Sequence, residues 1–102
     1  MKQDKADRKR LRHEYKRMFS EARRIVNTSD PEGLLGMHAP EDEYEDEVAT
    51  ILRELKTCRD ADDVYALVTS VFNEAFGPER RQFDLRSLAE ELWRWWSVQM
   101  GQ

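Results

Sequence analysis

The stretch "TSDPEGLLGMHAPEDEYEDEV", residues 28–48, is the one long interruption in a chain whose other segments have helical apolar spacing. It holds two glycines and two prolines, followed by a block of acids. Because a proline disfavours helix at the residue before it, Asp30-Pro31 predicts that the first helix ends near Asn27. Long connectors in compact domains usually have structure or a function of their own, so residues 28–41 are predicted to be ordered.

The connector itself has the residues of a short helical turn. Asp30 is a suitable cap, Pro31 fits the first helical position where its missing N–H costs nothing, and Gly36 ends the turn. Leu34 is predicted to be buried at the open end of the bundle. Tyr44, at the junction with the next helix, can bury its ring and keep its hydroxyl at a wet edge or on a backbone group.

Outside this stretch, apolar residues recur three and four positions apart, which is the spacing of amphipathic helices. The spacing predicts four helices, near residues 4–27, 42–57, 61–76 and 85–99. The side chains predicted to face inward are Leu11, Tyr15, Met18, Ile25, Val48, Ile51, Leu55, Leu67, Val68, Val71, Leu88, Leu92 and Trp96. We therefore expect an all-α, single-domain, up-down-up-down four-helix bundle spanning residues 1–102, with residues 1–10 projecting or frayed.

Helix ends are marked by residues that cap backbone groups. Asp42 with Glu45 has the form of a capping box, and Asp60 and Asp84 are predicted caps of the third and fourth helices. Gly77, followed by a proline, is predicted to end the third helix.

Composition limits the class of protein. The 102 residues are 39% hydrophobic and 37% charged, and no apolar run approaches the length of a membrane span. Cys58 is alone, which fits a reducing compartment, so we expect a cytoplasmic protein. Residues 1–30 hold ten Lys/Arg against five Asp/Glu, whereas the remaining chain is acidic. The basic helix is expected to complement the acidic part of the fold, with nucleic-acid contact through residues 2–24 as an alternative.

The pattern D-P-x-G-L followed by D-E-Y before a helix resembles a small bacterial family of uncharacterised proteins. The residues that carry the resemblance are Asp30, Pro31, Gly33, Leu34, Asp42, Glu43, Tyr44 and Val48. It implies a four-helix bundle for most of the chain, and it implies no particular activity.

The acidic block is a candidate metal site, and the histidine of the connector is a candidate catalytic residue. Residues 41–47 hold six carboxylates, but the glycine-punctuated spacing of a calcium loop is absent, so a solvated helix start is favoured over a metal site. His38 has no nucleophile and no orienting partner in a recognisable pattern. Cys58 lies beside Lys56 and Arg59, which could lower its pKa, but a lone thiol in such a place is more often inert. The sequence predicts no cofactor and no catalytic residues.

The segment "LWRWW", residues 92–96, has more tryptophan than one helix face can bury. Trp96 is predicted to lie inside and Trp95 at the flank, whereas Trp93 lies about 110° from the core direction. Trp93 therefore either covers a neighbouring helix or serves as an exposed anchor for a partner.

These features favour a non-enzymatic bacterial protein that binds another protein with a basic surface. An immunity-type or regulatory role is the sharpest version and rests on analogy. The predicted contact residues are Asp42, Glu43, Tyr44, Glu47 and Trp93, on a monomer or homodimer. An enzyme or ligand-binding bundle using His38 and Tyr44 is the alternative from another class.

Overall fold

The computed structural model describes residues 5–37, 39–40, 42–79, 81 and 84–101, with side chains from residue 9 onward. Four α-helices follow one another: α1 (Lys5–Ser29), α2 (Glu45–Glu54), α3 (Ala61–Phe76) and α4 (Leu85–Gln99). Short 3-10 helices lie at Leu35–Met37 in the connector and at Leu55–Thr57 after α2. The described ranges contain no strand, and the predicted all-α fold is confirmed.

The helices form an up-down-up-down bundle in which each helix packs on the next and α1 packs on α4. The α1–α4 pair runs antiparallel, because Glu21 of α1 meets Trp95 of α4, whereas Arg17, one turn earlier, meets Gln99. Arg23 of α1 pairs with Glu45 at the start of α2 at 3.0 Å.

The core is a single cluster drawn from all four helices and the connector. Its fully or nearly buried side chains are Ala22, Val26, Tyr44, Val48, Ile51, Leu52, Leu55, Val64, Val68, Phe72, Leu85, Leu88, Ala89 and Leu92. Six of the residues predicted to face inward are in this cluster: Val48, Ile51, Leu55, Val68, Leu88 and Leu92. Five others are only half-buried at its edge: Met18, Ile25, Leu67, Val71 and Trp96.

Two predicted core residues, Leu11 and Tyr15, are instead exposed, at 51% and 52%. The reason is the length of α1. At 1.5 Å per residue α1 is about 37 Å long, whereas the helices that pack on it, α2 and α4, are about 15 and 23 Å long. The apolar stripe of α1 continues past the ends of its neighbours, so its first turns have nothing to pack against. Residues 1–10 were predicted to be projecting or frayed. From Lys5 onward they form a projecting helix, and residues 1–4 lie outside the described residues.

The predicted caps of α3 and α4 are confirmed, and the predicted capping box of α2 is wrong. Asp60 accepts from the Asp63 N–H at 2.9 Å, and Asp84 accepts from the Arg86 N–H at 3.0 Å. Gly77 ends α3 with a φ of 75°, a conformation that favours glycine. By contrast, α2 begins only after Tyr44, with no side-chain cap.

The connector begins with an unusual backbone at Asp30. Helix α1 continues two residues beyond its predicted end, and Asp30 then adopts a left-handed φ of 47° while its N–H still bonds Val26. Its carboxylate accepts from the N–H groups of Leu35 and Gly36, so it caps the 3-10 helix and not a turn starting at Pro31.

Leu34, predicted to be buried, is half-buried against the core. Pro31, which was predicted to open the helical turn, is fully buried. The side chain that the connector buries most completely at this end of the bundle is therefore the ring of Pro31 and not Leu34.

The projecting end of α1 can be tested with two matched leucine truncations. Leu55 is fully buried, so Leu55→Ala should lower the free energy of unfolding by about 2–5 kcal/mol. Leu11→Ala removes the same atoms from an exposed position and should change stability by less than about 0.5 kcal/mol. Urea denaturation followed by circular dichroism measures both. Equal losses would show that the start of α1 packs on the bundle.

Candidate functional site

Tyr44 is at the centre of a hydrogen-bond network that fixes the connector. Its hydroxyl donates to Asp30 at 2.6 Å and accepts from the N–H groups of Glu32 and Leu34 at 3.1 and 3.4 Å. The ring is fully buried with its edge toward Phe72. The predicted burial of the ring is confirmed, and of the two predicted places for the hydroxyl, a wet edge or a backbone group, the structure shows the backbone, together with the Asp30 carboxylate.

The same position excludes Tyr44 from a binding surface and from acid–base chemistry. A fully buried ring cannot contact a partner, so the structure corrects its assignment as a contact residue. Burial, followed by the hydrogen bond to Asp30, raises the pKa of Tyr44 well above its usual range. His38, the other residue of the enzyme alternative, lies outside the described residues.

A buried ion pair joins this network to a second connector at the same end of the bundle. Arg81, in the connector between α3 and α4, donates through Nε to Glu32 at 2.8 Å and through Nη1 to Asn73 at 2.7 Å. The Arg81 and Glu32 side chains are only 11% and 4% exposed. The two connectors at this end of the bundle are therefore tied together, and the groups are used for structure.

The predicted acidic residues do lie together on the surface. Asp42 and Glu43 are exposed, and Glu47 is half-buried beside Asp46. Burial, followed by the charges of Asp46 and Glu43, raises the pKa of Glu47. Glu74 of α3 lines the same groove as Asp46 and Glu47. We call these five carboxylates the acidic surface. Within the described ranges, no three His, Cys, Asp or Glu side chains are grouped as metal ligands.

The three tryptophans of α4 all pack against the core, and each is half-buried. Trp93 is half-buried on the core, which favours its covering role over its predicted exposed role. Trp95 donates its indole N–H to Glu21 at 2.8 Å, and this hydrogen bond, followed by one from Arg17, lowers the pKa of Glu21. Trp96, predicted to lie inside, is only half-buried.

Trp96 is part of a feature that the sequence did not indicate. At the end of the bundle opposite the connector, α1, α2 and α4 form a groove of about 350 Å³. Its lining residues are Tyr15, Met18, Ala49, Leu52, Arg53, Lys56 and Trp96, and we call it the apolar groove. Tyr15 was missed because its place in the α1 stripe predicted burial, and only the relative helix lengths expose it.

The remaining candidates are Cys58 and His13. Burial, followed by the charge of Asp63, raises the pKa of Cys58, which favours an inert thiol over one activated by Lys56 and Arg59. His13 is exposed on α1, as its place off the apolar stripe indicates.

A scan of protein-family models and searches of curated proteins and solved structures found no match to this chain. The resemblance to a bacterial family through Asp30, Pro31 and Tyr44 therefore stays a prediction. No helix among the described residues has both the length and the apolar character to cross a membrane.

The Tyr44 network can be tested by removing one oxygen atom. Tyr44→Phe leaves the Glu32 and Leu34 N–H groups without their acceptor, and should lower the free energy of unfolding by about 1–3 kcal/mol at pH 7. Tyr65→Phe is the matched control, because the Tyr65 hydroxyl bonds no described residue, and the change keeps its ring under the Arg86 guanidinium. Urea denaturation should show little change in this control.

The same pair gives a pH test. Burial raises the pKa of Asp30, but hydrogen bonds from Tyr44, Leu35 and Gly36 outweigh it, and the net pKa lies below 3.8. A lowered pKa stabilises the fold above the unfolded value and loses that stabilisation as the pH falls through the folded value. The stability difference between wild type and Tyr44→Phe should therefore narrow below about pH 4. A constant difference would contradict the role of Asp30.

Cys58 should react slowly with alkylating agents. Because its pKa is raised, the thiolate fraction at neutral pH is small. Iodoacetamide at pH 7.5 should modify the native protein several-fold more slowly than the urea-unfolded chain, as measured by mass spectrometry. Faster reaction of the native protein would mean that Lys56 and Arg59 dominate after all.

Proposed function

We propose that this protein acts by binding another protein and does not catalyse a reaction. The observation that supports the proposal is the apolar groove, together with the exposed stripe of α1 that continues from it to Leu11. A partner that covers this surface removes apolar area from water, at roughly 25 cal/mol per Å². Leu11 and Tyr15 keep about half of their surface exposed in the fold, so burial in a complex would remove further apolar area from water.

The residue types in the groove support a protein partner. Tyr, Trp, Met and Arg are enriched at the centres of protein interfaces, where aromatic side chains supply contact area at low entropic cost. Tyr15, Trp96, Met18 and Arg53 line the groove together. This set replaces Trp93 as the proposed aromatic anchor.

The acidic surface supports the further proposal that one partner is basic. Asp42 and Glu43 are exposed, and three more carboxylates line the adjoining groove between α2 and α3. Carboxylates of this kind steer a basic partner and raise its association rate more than they raise affinity. An immunity-type or regulatory role is the proposal by analogy, and it requires such a partner.

Site-specific photocrosslinking tests whether the groove contacts a protein. A photoreactive phenylalanine analogue replaces Tyr15 in one variant and Ala66, an exposed residue of α3, in the control. In a native extract, position 15 should form discrete protein adducts that position 66 does not. The same adduct pattern at both positions, or none at position 15, would contradict binding through the groove.

The acidic surface is tested separately by charge reversal. Affinity capture from the extract with the Glu43→Lys, Glu47→Lys double variant should recover less of the basic partner than wild type does, after both are shown to be folded. Glu90→Lys, which reverses an exposed charge on α4 away from the acidic surface, is the control for charge reversal alone. It is preferred to a change at Asp84, because Asp84 caps α4. Equal recovery by all three proteins would remove the acidic surface as a contact.

A further inference from the structure

We propose that the apolar groove receives an acidic amphipathic helix of a partner protein. This inference rests on the proposed function and specifies the kind of segment that binds. Two properties of the described residues support it: the helical geometry of the groove and the sign of the charges along its edges.

The apolar groove, between α1, α2 and α4, has the geometry of a packing site for one more helix. α1 runs beyond the ends of its neighbours, and its apolar positions Leu11, Tyr15 and Met18 are spaced by four and three residues. This spacing continues directly into Ala22 and Val26, through which the same helix packs on the bundle core. A surface that packs helices along one half of α1 suits a helix along the other half, presented through i, i+3, i+4 and i+7 side chains.

The charges along the groove select the chemistry of that helix. Arg53 and Lys56 are among the lining residues, and no carboxylate is. Residues 9–17 of α1, all exposed, hold five Lys/Arg and one Glu. Arg12 precedes Tyr15 by about one helical turn and so lies beside the apolar stripe, whereas Lys16, next to Tyr15 in the sequence, points away from it. A helix with apolar residues on one face and Asp/Glu beside them matches this arrangement.

Other occupants match the same surface less well. A second copy would bring its own basic start of α1 against the first, and like charges at close range repel. A nucleic acid offers phosphates to the cations but nothing to the apolar floor of Met18, Ala49 and Leu52. A flat bilayer surface reaches Leu11 and Tyr15 but not the half-buried residues between the helices.

Designed peptides test the inference directly. One peptide of about five helical turns has Leu and Phe on one face and Glu on the others, and its matched control has Lys in place of every Glu. Fluorescence anisotropy of the labelled peptides against the full chain should give micromolar binding for the Glu peptide, weakening with added salt. The Lys peptide should bind at least about tenfold more weakly.

Variants locate the binding to the groove. Tyr15→Ala and the Arg53→Glu, Lys56→Glu double variant should each weaken binding of the Glu peptide about tenfold or more. These side chains are exposed or at the groove edge, and circular dichroism checks that the variants are folded. Arg94→Glu reverses one charge at an exposed position of α4 outside the groove, half the charge change of the double variant, and should leave the affinity unchanged.

The outcomes separate this inference from the proposed function. Equal or tighter binding of the Lys peptide, no binding of either peptide, or binding only of anionic vesicles or of a short DNA duplex would overturn the acidic helix. Tyr15 adducts in the crosslinking experiment would still support protein binding through the groove in each of these cases. Preference for the Glu peptide that is lost in the groove variants and kept in Arg94→Glu supports the inference.

Discussion

The hydrogen bond from the Tyr44 hydroxyl to Asp30 is the contact on which one whole end of the molecule depends. A buried phenol must be hydrogen-bonded, and Asp30 can accept only because its left-handed backbone turns its carboxylate back over the connector. The bond ties the end of α1 to the start of α2 at 2.6 Å.

The two ends of the bundle are consequently built for different purposes. At the connector end, Pro31 is buried and Glu32 forms an ion pair with Arg81. The ring of Tyr44 packs against Phe72 and Phe76, with ring centroids 5.8 and 6.0 Å apart. At the opposite end, α1 extends past its neighbours and leaves apolar side chains uncovered. The Tyr44 hydroxyl, which the sequence offered as a reactive group, thus stabilises the fold. Leu11 and Tyr15, which the sequence placed in the core, are instead exposed to solvent.

Charge is distributed along the same division. The cations of the first helix are concentrated at its projecting start, and the carboxylates of α2 and α3 gather on the acidic surface. The pKa of Glu47 is raised by burial and by its acidic neighbours, which is the electrostatic cost of holding these groups together. Binding of a basic partner would relieve that cost. The acidic surface and the apolar groove carry charges of opposite sign, apart from Arg53, which lines both grooves, so the partners proposed for them differ in charge.

The sequence by itself determined the helices, because helical periodicity and caps are local. α3 and α4 have their predicted bounds, and Asp60, Asp84 and Gly77 act within one turn of their own positions. The exposure of Asp42 and Glu43 also followed from the local pattern. Only the tertiary structure decided which side chains meet, as with Glu32 and Arg81, which are 49 residues apart.

The same limit explains what was missed at the candidate site. Periodicity tells which face of α1 is apolar, but not how far its neighbours extend along it, so Leu11 and Tyr15 were expected inside. The apolar groove needs three helices in one relative register, and that register is set by how buried side chains fill the space between helices. A pattern within one helix carries no information about that packing.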